Sequence, residues 1–491
     1  MTFNELIELV SSADSPRICV DSRLVKDGDI FVAVKGTIYD GHDFIDRAIT
    51  NGAKYIVCQN DKRRKTEDRR QKNCEIISIE DSTEAVAILA QAKAGNPASN
   101  LTNLAVTGTN GKTTVAYLVR SCIRAAGQKC GLIGTVEYDT GSAVCEASMT
   151  TPDSLEIARI QKEMLKAGCE YMVIEASSHA LSQNRLAGIN FKAAAFTNLT
   201  GDHLDYHKTT EDYLDAKTKL FSCLSPDAIA VLNKQSTEAQ YIAERTKAKI
   251  LWYAIDEPAD ITAHIESMDI NGTRFSILDS RFSLRIEIKT PLLGWHNISN
   301  HLAAAGLCLA AGFNLEAVSA GLSSLQGVPG RLEKVDFADF SVLVDYAHTD
   351  DALKNVLTTL KPLCKGKLIV VFGCGGDRDR TKRPRMAKVV EELANIVIVT
   401  SDNPRTEKPE DIINEILSGF ENPKTEKITV ESDRRKAIEL AIETAGKDDI
   451  VLIAGKGHEN YQIIGTQKFH FSDKEVATDF LEKRMCEVKQ L

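Results

Sequence analysis

Three things are missing from this 491-residue chain, and each removes a class of protein. No run of about 18 apolar residues occurs, so no membrane-spanning helix is expected. Its twelve cysteines stand singly, with no CxxC pair and no zinc-finger spacing, which argues against a disulfide framework or a zinc site. Basic charge is in deficit: 60 Lys and Arg against 69 Asp and Glu give a net charge of −9. A mildly acidic whole does not bind nucleic acid or an anionic membrane in bulk, so an anionic substrate must be met by local clusters of Arg and Lys. The opening MTFNELIELV reads as an amphipathic helix with acidic residues rather than a secretory leader. A cytoplasmic monomer with reduced thiols is expected. What is present is ordinary for a globular protein, 43% hydrophobic and 26% charged residues, and the length calls for about three domains.

The chain is organised around LAVTGTNGKTT, residues 104–114. An apolar run (Leu104, Ala105, Val106) ends in Gly108 and Gly111, followed at once by Lys112, Thr113 and Thr114. Apolar residues then recur at helical spacing, at Val115, Leu118, Val119, Cys122 and Ile123, with Gly127 as a stop. Strand, glycine loop and helix follow one another. Such a loop turns backbone N–H groups around a polyphosphate, and the helix N-terminus adds positive partial charge. Lys112 would reach the β- and γ-phosphates and the Thr113 hydroxyl would bind Mg²⁺. The usual spacing of this loop wants a glycine where Val106 stands. A plain glycine turn with an exposed lysine is the alternative, but strand and helix patterns sit where a phosphate loop needs them. The reading is a nucleoside triphosphate site.

Three units are expected, 1–97, 98–328 and 329–491. In the first, short strands alternate with turns at Asp27-Gly28 and Asp40-Gly41, and a helix pattern covers 42–49. Val20, Asp21, Ser22 and Arg23 stand at a strand end, where they either hold a polar ligand or only turn the chain. The basic run KRRKTEDRRQK (62–72) has no aromatics to stack on bases and contains Glu67 and Asp68, so it reads as a solvated loop. In the middle unit, YMVIEASSHAL, AAAFTNLTGDHLDYH and IAVLN are strands ending in polar clusters, which predicts a doubly wound, mostly parallel sheet with ligands at the carboxyl ends of its strands. Glu175 would share a Mg²⁺ with Thr113, and Asp202 and His203 end the next strand. Residues 213–221 read as a helix burying Tyr213, Leu214, Leu220 and Phe221, with Lys217 and Lys219 on the surface; nothing in the pattern marks Lys217 out. In the third unit, SVLVDYAH, KLIVVFGCGG, IVIVTSDNPR and IVLIAGKGHE are near-continuous apolar strands suited to a buried parallel sheet. GCGGDR lacks the spacing of a dinucleotide fingerprint.

Taken in order, GTNGKTT, TTPDS, EASSHAL, TNLTGDHLDYH, YLDAK, the GxxNxxN of residues 294–300, GRLE, DYAHTDDAL, GCGGDRDRTKRP, DNPR and GKGHE resemble the Mur ligases over nearly the whole chain. The resemblance implies an α/β protein of three domains: a nucleotide-sugar-binding first domain, a central P-loop doubly wound sheet, and a Rossmann-like C-terminal domain that binds an amino acid. It implies an ATP-dependent ligase that phosphorylates the D-glutamyl γ-carboxylate of UDP-N-acetylmuramoyl-L-alanyl-D-glutamate, after which the amine of meso-diaminopimelate attacks the acyl phosphate. A carboxylate is a poor acyl donor, and phosphate makes it one.

Residue by residue, the resemblance puts ATP phosphates on Gly108, Thr109, Asn110, Gly111, Lys112, Thr113 and Thr114, with Asn300, Arg331 and Asp345 contacting nucleotide from later in the chain. Thr113, Glu175 and His203 would hold Mg²⁺. Lys217 matches a lysine carried as a carbamate, an anion able to bind a second Mg²⁺; Lys112, Lys217 and His203 make the catalytic set. The nucleotide-sugar peptide would lie on Val20, Ser22, Thr37, Ile38 and Tyr39, then on Thr150, Thr151, Ser177, Gln183 and Arg185. Diaminopimelate would sit on Arg378, Asp402, Asn403, Pro404, Arg405, Gly455 and Glu459. Because diaminopimelate differs from lysine by one carboxylate, Arg405 is expected to select it through a forked ion pair. Two positions depart from the family pattern, Asp350 in place of a proline and Gly201 in place of a larger residue. A lysine-adding homologue would lack Arg405, and a folylpolyglutamate synthase would lack the 20–45 segment. A catalytically silent scaffold would have lost Lys112, Lys217 or DNPR, and a GTPase-type switch would carry an NKxD-like tetrapeptide, which this chain lacks.

Overall fold

The computed structural model describes residues 1–36, 39–59, 74–200, 204–335 and 339–488. Three β-sheets follow one another along the chain. The first has four parallel strands in sequence order, Ile18–Cys19, Ile30–Val32, Tyr55–Gln59 and Glu75–Ile79. The helix Ser82–Ala94 begins where the Asp81 carboxylate accepts the N–H groups of Thr83 and Glu84, and it stops at Gly95, whose φ of 88° is one that side chains avoid. The helix expected over 42–49 is split: a 3₁₀ turn, Gly41–Phe44, precedes the α-helix Ile45–Thr50. Asp40 accepts from both the N–H and the ring Nδ1 of His42, which fixes that tight first turn.

The second sheet has eleven strands. Its middle is parallel and runs, in spatial order, Ile261–Asp269, Lys249–Ile255, Ile229–Asn233, Phe191–Phe196, Thr102–Thr107, Tyr171–Glu175 and Cys130–Ile133. The strands inward of Ile261–Asp269 are largely buried apolar runs because both faces are covered. Antiparallel ribbons extend the sheet at each edge, one of them built from Ile261–Asp269, Gly272–Asp279 and Leu284–Thr290. Strand–helix alternation therefore stops short of the end of this unit. The ribbon's burial alternates instead, with Phe275, Ile277 and Ile288 turned into the core.

The loop-bearing strand Thr102–Thr107 lies between Phe191–Phe196 and Tyr171–Glu175, so three carboxyl ends meet at one place. The helix that follows it, Lys112–Ala125, is pressed against Leu315–Ser324 so closely that a Cβ on Gly321 would stand 2.1 Å from Cys122 Cα. The third sheet has six strands, in the order Glu333–Val335, Ser341–Asp345, Ile450–Ala454, Leu368–Phe372, Ile396–Val399 and Ile428–Val430; only the first is antiparallel. A separate hairpin, Tyr461–Ile464 with Gln467–His470, follows. Among the described residues no helix is long and apolar enough to cross a membrane.

Candidate active site

The glycine loop is held from both sides. A Cβ on Gly108 would lie 1.9 Å from Thr197 Oγ1, and one on Gly111 would lie 2.2 Å from Asn300 Oδ1; both glycines have positive φ. Thr109 N donates to Asn198 O (2.8 Å), Asn110 N to Asn198 Oδ1 (3.0 Å), and Thr197 Oγ1 to Asn110 O (2.6 Å). Lys112 Nζ curls over the loop and donates to the carbonyls of Gly108 (2.9 Å) and Thr109 (2.8 Å). Thr113 and Thr114 open the helix and are buried.

Thr113 Oγ1 donates to Glu175 Oε2 at 3.0 Å. Glu175 has no exposed surface and also accepts from Thr135 N (2.8 Å) and Thr135 Oγ1 (2.9 Å). A hydroxyl and a carboxylate side by side are hard oxygen donors, and they fit Mg²⁺, which takes one or two protein groups and keeps its remaining ligands as water and phosphate. Among the described residues no group of three or more His, Cys, Asp or Glu could hold a metal. His203, Thr37, Ile38 and Gly201 lie outside the described residues.

Lys217 is not on the surface. Its side chain is 1% exposed, Nζ donates to Gly108 O at 2.8 Å, and the ammonium stands 4.3 Å from the centroid of the Tyr213 ring. Leu214 is only half-buried, and Lys219 is exposed as expected. Helical spacing explains the correction: Lys217 is four residues from Tyr213 and from Phe221, on the face that packs inward.

The third unit reaches this centre. Arg331 Nη2 donates to Thr113 Oγ1 (3.3 Å), with its guanidinium 4.7 Å from the Tyr346 ring centroid, and Asn110 Nδ2 donates to Asp351 Oδ2 (3.2 Å). Asp345 is buried and accepts from Leu332 N (2.7 Å) and Ala347 N (2.8 Å), so it shapes the turn that presents Arg331. Burial pushes the Asp345 carboxyl up, and the Arg331 charge opposes that. Asp350 opens the helix Asp350–Leu360, and its carboxylate accepts from Arg385 Nε at 3.0 Å, a contact that a proline could not make.

A cavity of about 960 Å³ runs from the first sheet to the second. Val20, Ser22 and Tyr39 line one side, and Gln183 and Arg185 line the other. Arg23, Lys35 and Arg47 also border it and suit a phosphate-bearing ligand, although Arg23 is forked onto Asp21 (2.6 Å). Arg185 donates to Gln183 Oε1 (2.7 Å) and Thr151 O (2.7 Å), while Thr151 Oγ1 donates to Glu175 O (2.6 Å) and stands 3.1 Å from Ser177 Oγ. Thr150 Oγ1 stands within hydrogen-bond distance of Thr135 Oγ1, at 3.1 Å. These contacts link the cavity wall to Glu175, the residue that bonds Thr113.

In the third unit, Asp402, Asn403, Gly455 and Glu459 converge. Asn403 Nδ2 donates to Glu459 Oε2 (2.9 Å), and a Cβ on Gly455, at φ 118°, would stand 3.5 Å from Asp402 Oδ2. Arg405 Nη1 donates to Gly376 O (2.8 Å), while Pro404 O comes within 2.0 Å of where a Gly376 Cβ would stand. Arg378 is exposed and, among the described residues, donates only to the carbonyl of its neighbour Asp377 (3.2 Å).

Residues 17–94 match the Mur ligase family catalytic domain, 106–308 the Mur ligase middle domain, and 330–457 the Mur ligase glutamate ligase domain. The chain belongs to the Mur ligase family. Among Mur ligases it is 42% identical, over 95% of its length and 94% of the relative's, to the UDP-N-acetylmuramoyl-L-alanyl-D-glutamate–2,6-diaminopimelate ligase of Geobacillus kaustophilus. It is 44% identical to the protein of that name from Gloeobacter violaceus, over 96% and 94% of the two chains. A solved structure of a ligase of that name superposes with a TM-score of 0.67 at 32% identity, covering 99% of each chain. The Mycobacterium tuberculosis folylpolyglutamate synthase shares the fold at 20% identity, with a TM-score of 0.61, but covers 76% of this chain and 92% of its own.

Three groups in this Mur ligase site escape a motif-by-motif reading. Thr135 bonds both Glu175 and Thr150 yet sits in a stretch without polar repetition. Tyr346 gives Arg331 its platform, and its place beside Asp345 was a usable signal. Lys456 is buried inside GKGHE, where a lysine between two glycines reads as a surface residue.

Proposed function

We propose that this Mur ligase is the ATP-dependent enzyme that joins meso-diaminopimelate to the D-glutamyl γ-carboxylate of UDP-N-acetylmuramoyl-L-alanyl-D-glutamate, making a peptidoglycan precursor in the cytoplasm. One observation carries the reading. Contacts lead away from Thr113 in two directions: through Glu175 and Thr151 to Arg185 on a cavity large enough for a nucleotide-sugar peptide, and through Arg331 and Tyr346 to His458, next to Glu459 in a polar cluster with the charge pattern of an amino-acid site. Acceptor and donor can thus meet over the phosphates.

In this reading residues 1–97 hold the nucleotide sugar, 98–328 hold ATP and the peptide, and 329–491 hold diaminopimelate. The loop N–H groups from Gly108 to Thr114 and the Lys112 ammonium bind the polyphosphate, and Asn300 packs beneath Gly111 to keep the loop open. Arg331 brings a second cation to Thr113, where charge develops as the γ-phosphoryl group moves to the carboxylate. Thr113 and Glu175 would hold Mg²⁺, which neutralises phosphate charge when bound. Lys217 is the residue we propose to be carbamylated: its ammonium gives up a proton, the free amine adds CO₂, and a second proton leaves the nitrogen, exchanging a buried cation for an anion beside the loop. Val20, Ser22, Tyr39, Gln183 and Arg185 orient the nucleotide-sugar peptide, and Thr150, Thr151 and Ser177 its peptide end. Asp402, Asn403, Arg405 and Glu459 hold the two ends of the amine donor, so that its nucleophilic nitrogen is presented to the acyl phosphate and phosphate leaves.

The test is phosphate release by the purified chain with ATP, Mg²⁺ and the UDP-muramoyl dipeptide, offering meso-diaminopimelate and L-lysine separately. Turnover with diaminopimelate alone is expected. Turnover with lysine alone would keep the ligase and overturn its amine donor, and no turnover with either would leave a nucleotide-binding scaffold.

A further inference from the structure

Lys456 has no exposed surface, and it is among the largest side chains so enclosed. It follows the strand Ile450–Ala454 and is flanked by Gly455 and Gly457, both at positive φ. Its Nζ donates to Asn403 Oδ1 (3.2 Å) and Glu459 Oε2 (3.2 Å), lies 3.5 Å from Asp402 Oδ1, and stands 5.5 Å from the centroid of the Tyr461 ring. An ammonium is stripped of water this completely only where opposite charge replaces its hydration.

The consequences fall on its neighbours. Asn403 Oδ1 accepts from Lys456 and from Ile463 N (2.9 Å), which fixes the amide so that Nδ2 donates to Glu459 Oε2. That one oxygen of Glu459 receives both Asn403 and Lys456, and among the described residues Oε1 has no hydrogen-bond donor. Counting charge, Lys456 offsets one of two carboxylates, Asp402 and Glu459. The adjacent Arg434 is matched by Asp473 at 2.7 Å, with both side chains fully enclosed. One negative charge is left for one ammonium of the amine donor.

We infer that Lys456 is a positioning residue of the amine-donor site, holding Asn403 and Glu459 in the orientation that receives the substrate ammonium. The inference rests on the ligase reading above. It also sets a titration. Burial pushes the Glu459 carboxyl up and Asp402 adds to that, while Lys456 and the Asn403 hydrogen bond pull it down. Tyr346, Tyr461 and Arg434 are the other titratable groups that interact with it. Removing Lys456 therefore moves protonation of Glu459 to higher pH, toward the working range.

The experiment compares wild type, Lys456→Met, Glu459→Gln and the double variant by steady-state kinetics across pH. Lys456→Met is expected to raise KM for diaminopimelate at least about tenfold while KM for ATP stays within about twofold. The acid limb of its kcat/KM for diaminopimelate should move to higher pH. If Lys456 acts through Glu459, adding Lys456→Met to Glu459→Gln changes KM by less than about threefold. The double variant has lost both buried charges, so it keeps the comparison available should the single variant fail to fold. An unmoved acid limb, an equal rise in both KM values, or a full tenfold loss on the Glu459→Gln background would each overturn the role. Wild type without diaminopimelate turnover would overturn the ligase reading and this role together. Normal wild-type turnover with a failed variant arm overturns the role alone.

Discussion

Lys112 and Lys217 converge on one oxygen: both ammonium groups donate to the main-chain carbonyl of Gly108, at 2.9 and 2.8 Å. One lysine comes from the turn after the loop and the other from a helix a hundred residues later. Two cations on one carbonyl repel each other in a site with little water. The arrangement is relieved when a polyphosphate draws Lys112 outward or when Lys217 gives up its positive charge, and the proposed mechanism uses both.

Replacing Lys112 by alanine removes the phosphate clamp but leaves the loop glycines and their contacts in place. Phosphate release should fall by about 10³-fold, the scale of losing a preorganised charge donor at a transition state. The melting temperature should stay near that of wild type, since Lys112 is only partly buried. Near-normal turnover in a folded Lys112→Ala protein would contradict the phosphate-loop role.

Lys217→Ala tests the carbamate. The substitution leaves a hole at a wholly enclosed position beside Gly108 and Tyr213. Activity should disappear and return in part when formate or acetate supplies an anion to that hole. Mass spectrometry of the wild type equilibrated with ¹³C-labelled bicarbonate, with NMR of the label, should show a carbamate carbon that is absent from the variant. Full activity in the variant, with no gain from added carboxylate, would remove Lys217 from the chemistry.

The glycine loop and the parallel core of the second sheet were legible because apolar runs, glycines and helical spacing report directly on backbone shape. Lys217 was half legible. Its spacing from Tyr213 and Phe221 puts it on the inward face, but charge outweighed position in the reading. Thr135 and Lys456 were not legible, because what defines them is a partner far along the chain: Glu175 for one, Asn403 for the other. The antiparallel ribbon of 261–290 escaped for a different reason. Its strands tend to alternate in burial, as a ribbon covered on one face does, and so present no continuous apolar run.

Acid should weaken the fold above the pH at which carboxylates protonate. His301 lies fully enclosed in the helix Trp295–Ala310, with its Nδ1 2.6 Å from Asn297 O, and burial lowers its pKa from 6.5 to about 4. Between those values the unfolded chain binds a proton that the folded chain refuses. The stability that depends on a neutral His301 is therefore complete above 6.5 and is lost as pH falls toward 4. The slope can reach about 1.4 kcal/mol per pH unit for one such group. His301→Phe, which keeps a ring beside Phe275, should flatten the fall in melting temperature between pH 7 and 5. An unchanged slope would assign the acid sensitivity elsewhere.

Arg405 is the residue on which the choice of amine donor turns. Its backbone is pinned at φ 50°, with its N–H donating to Ile463 O (3.1 Å) and its carbonyl accepting from Gly465 N (2.8 Å), so the hairpin sets where the side chain starts. Nη1 donates to Gly376 O, and a Cβ on Gly375 would stand 2.9 Å from it, which is why a glycine precedes that carbonyl. Among the described residues no acceptor meets Nε or Nη2, which leaves both for a carboxylate, in the two-pronged geometry that lysine as a substrate could not complete. Losing a charge-assisted pair of this kind costs about 1.5–3 kcal/mol, so Arg405→Ala should raise KM for diaminopimelate roughly 10- to 100-fold. KM for ATP should be little changed, and the preference for diaminopimelate over lysine should shrink by the same factor. Arg405→Lys restores charge without the fork and should recover only part of the loss. Equal increases in KM for ATP and diaminopimelate would mean that Arg405 supports the loop's shape rather than its ligand.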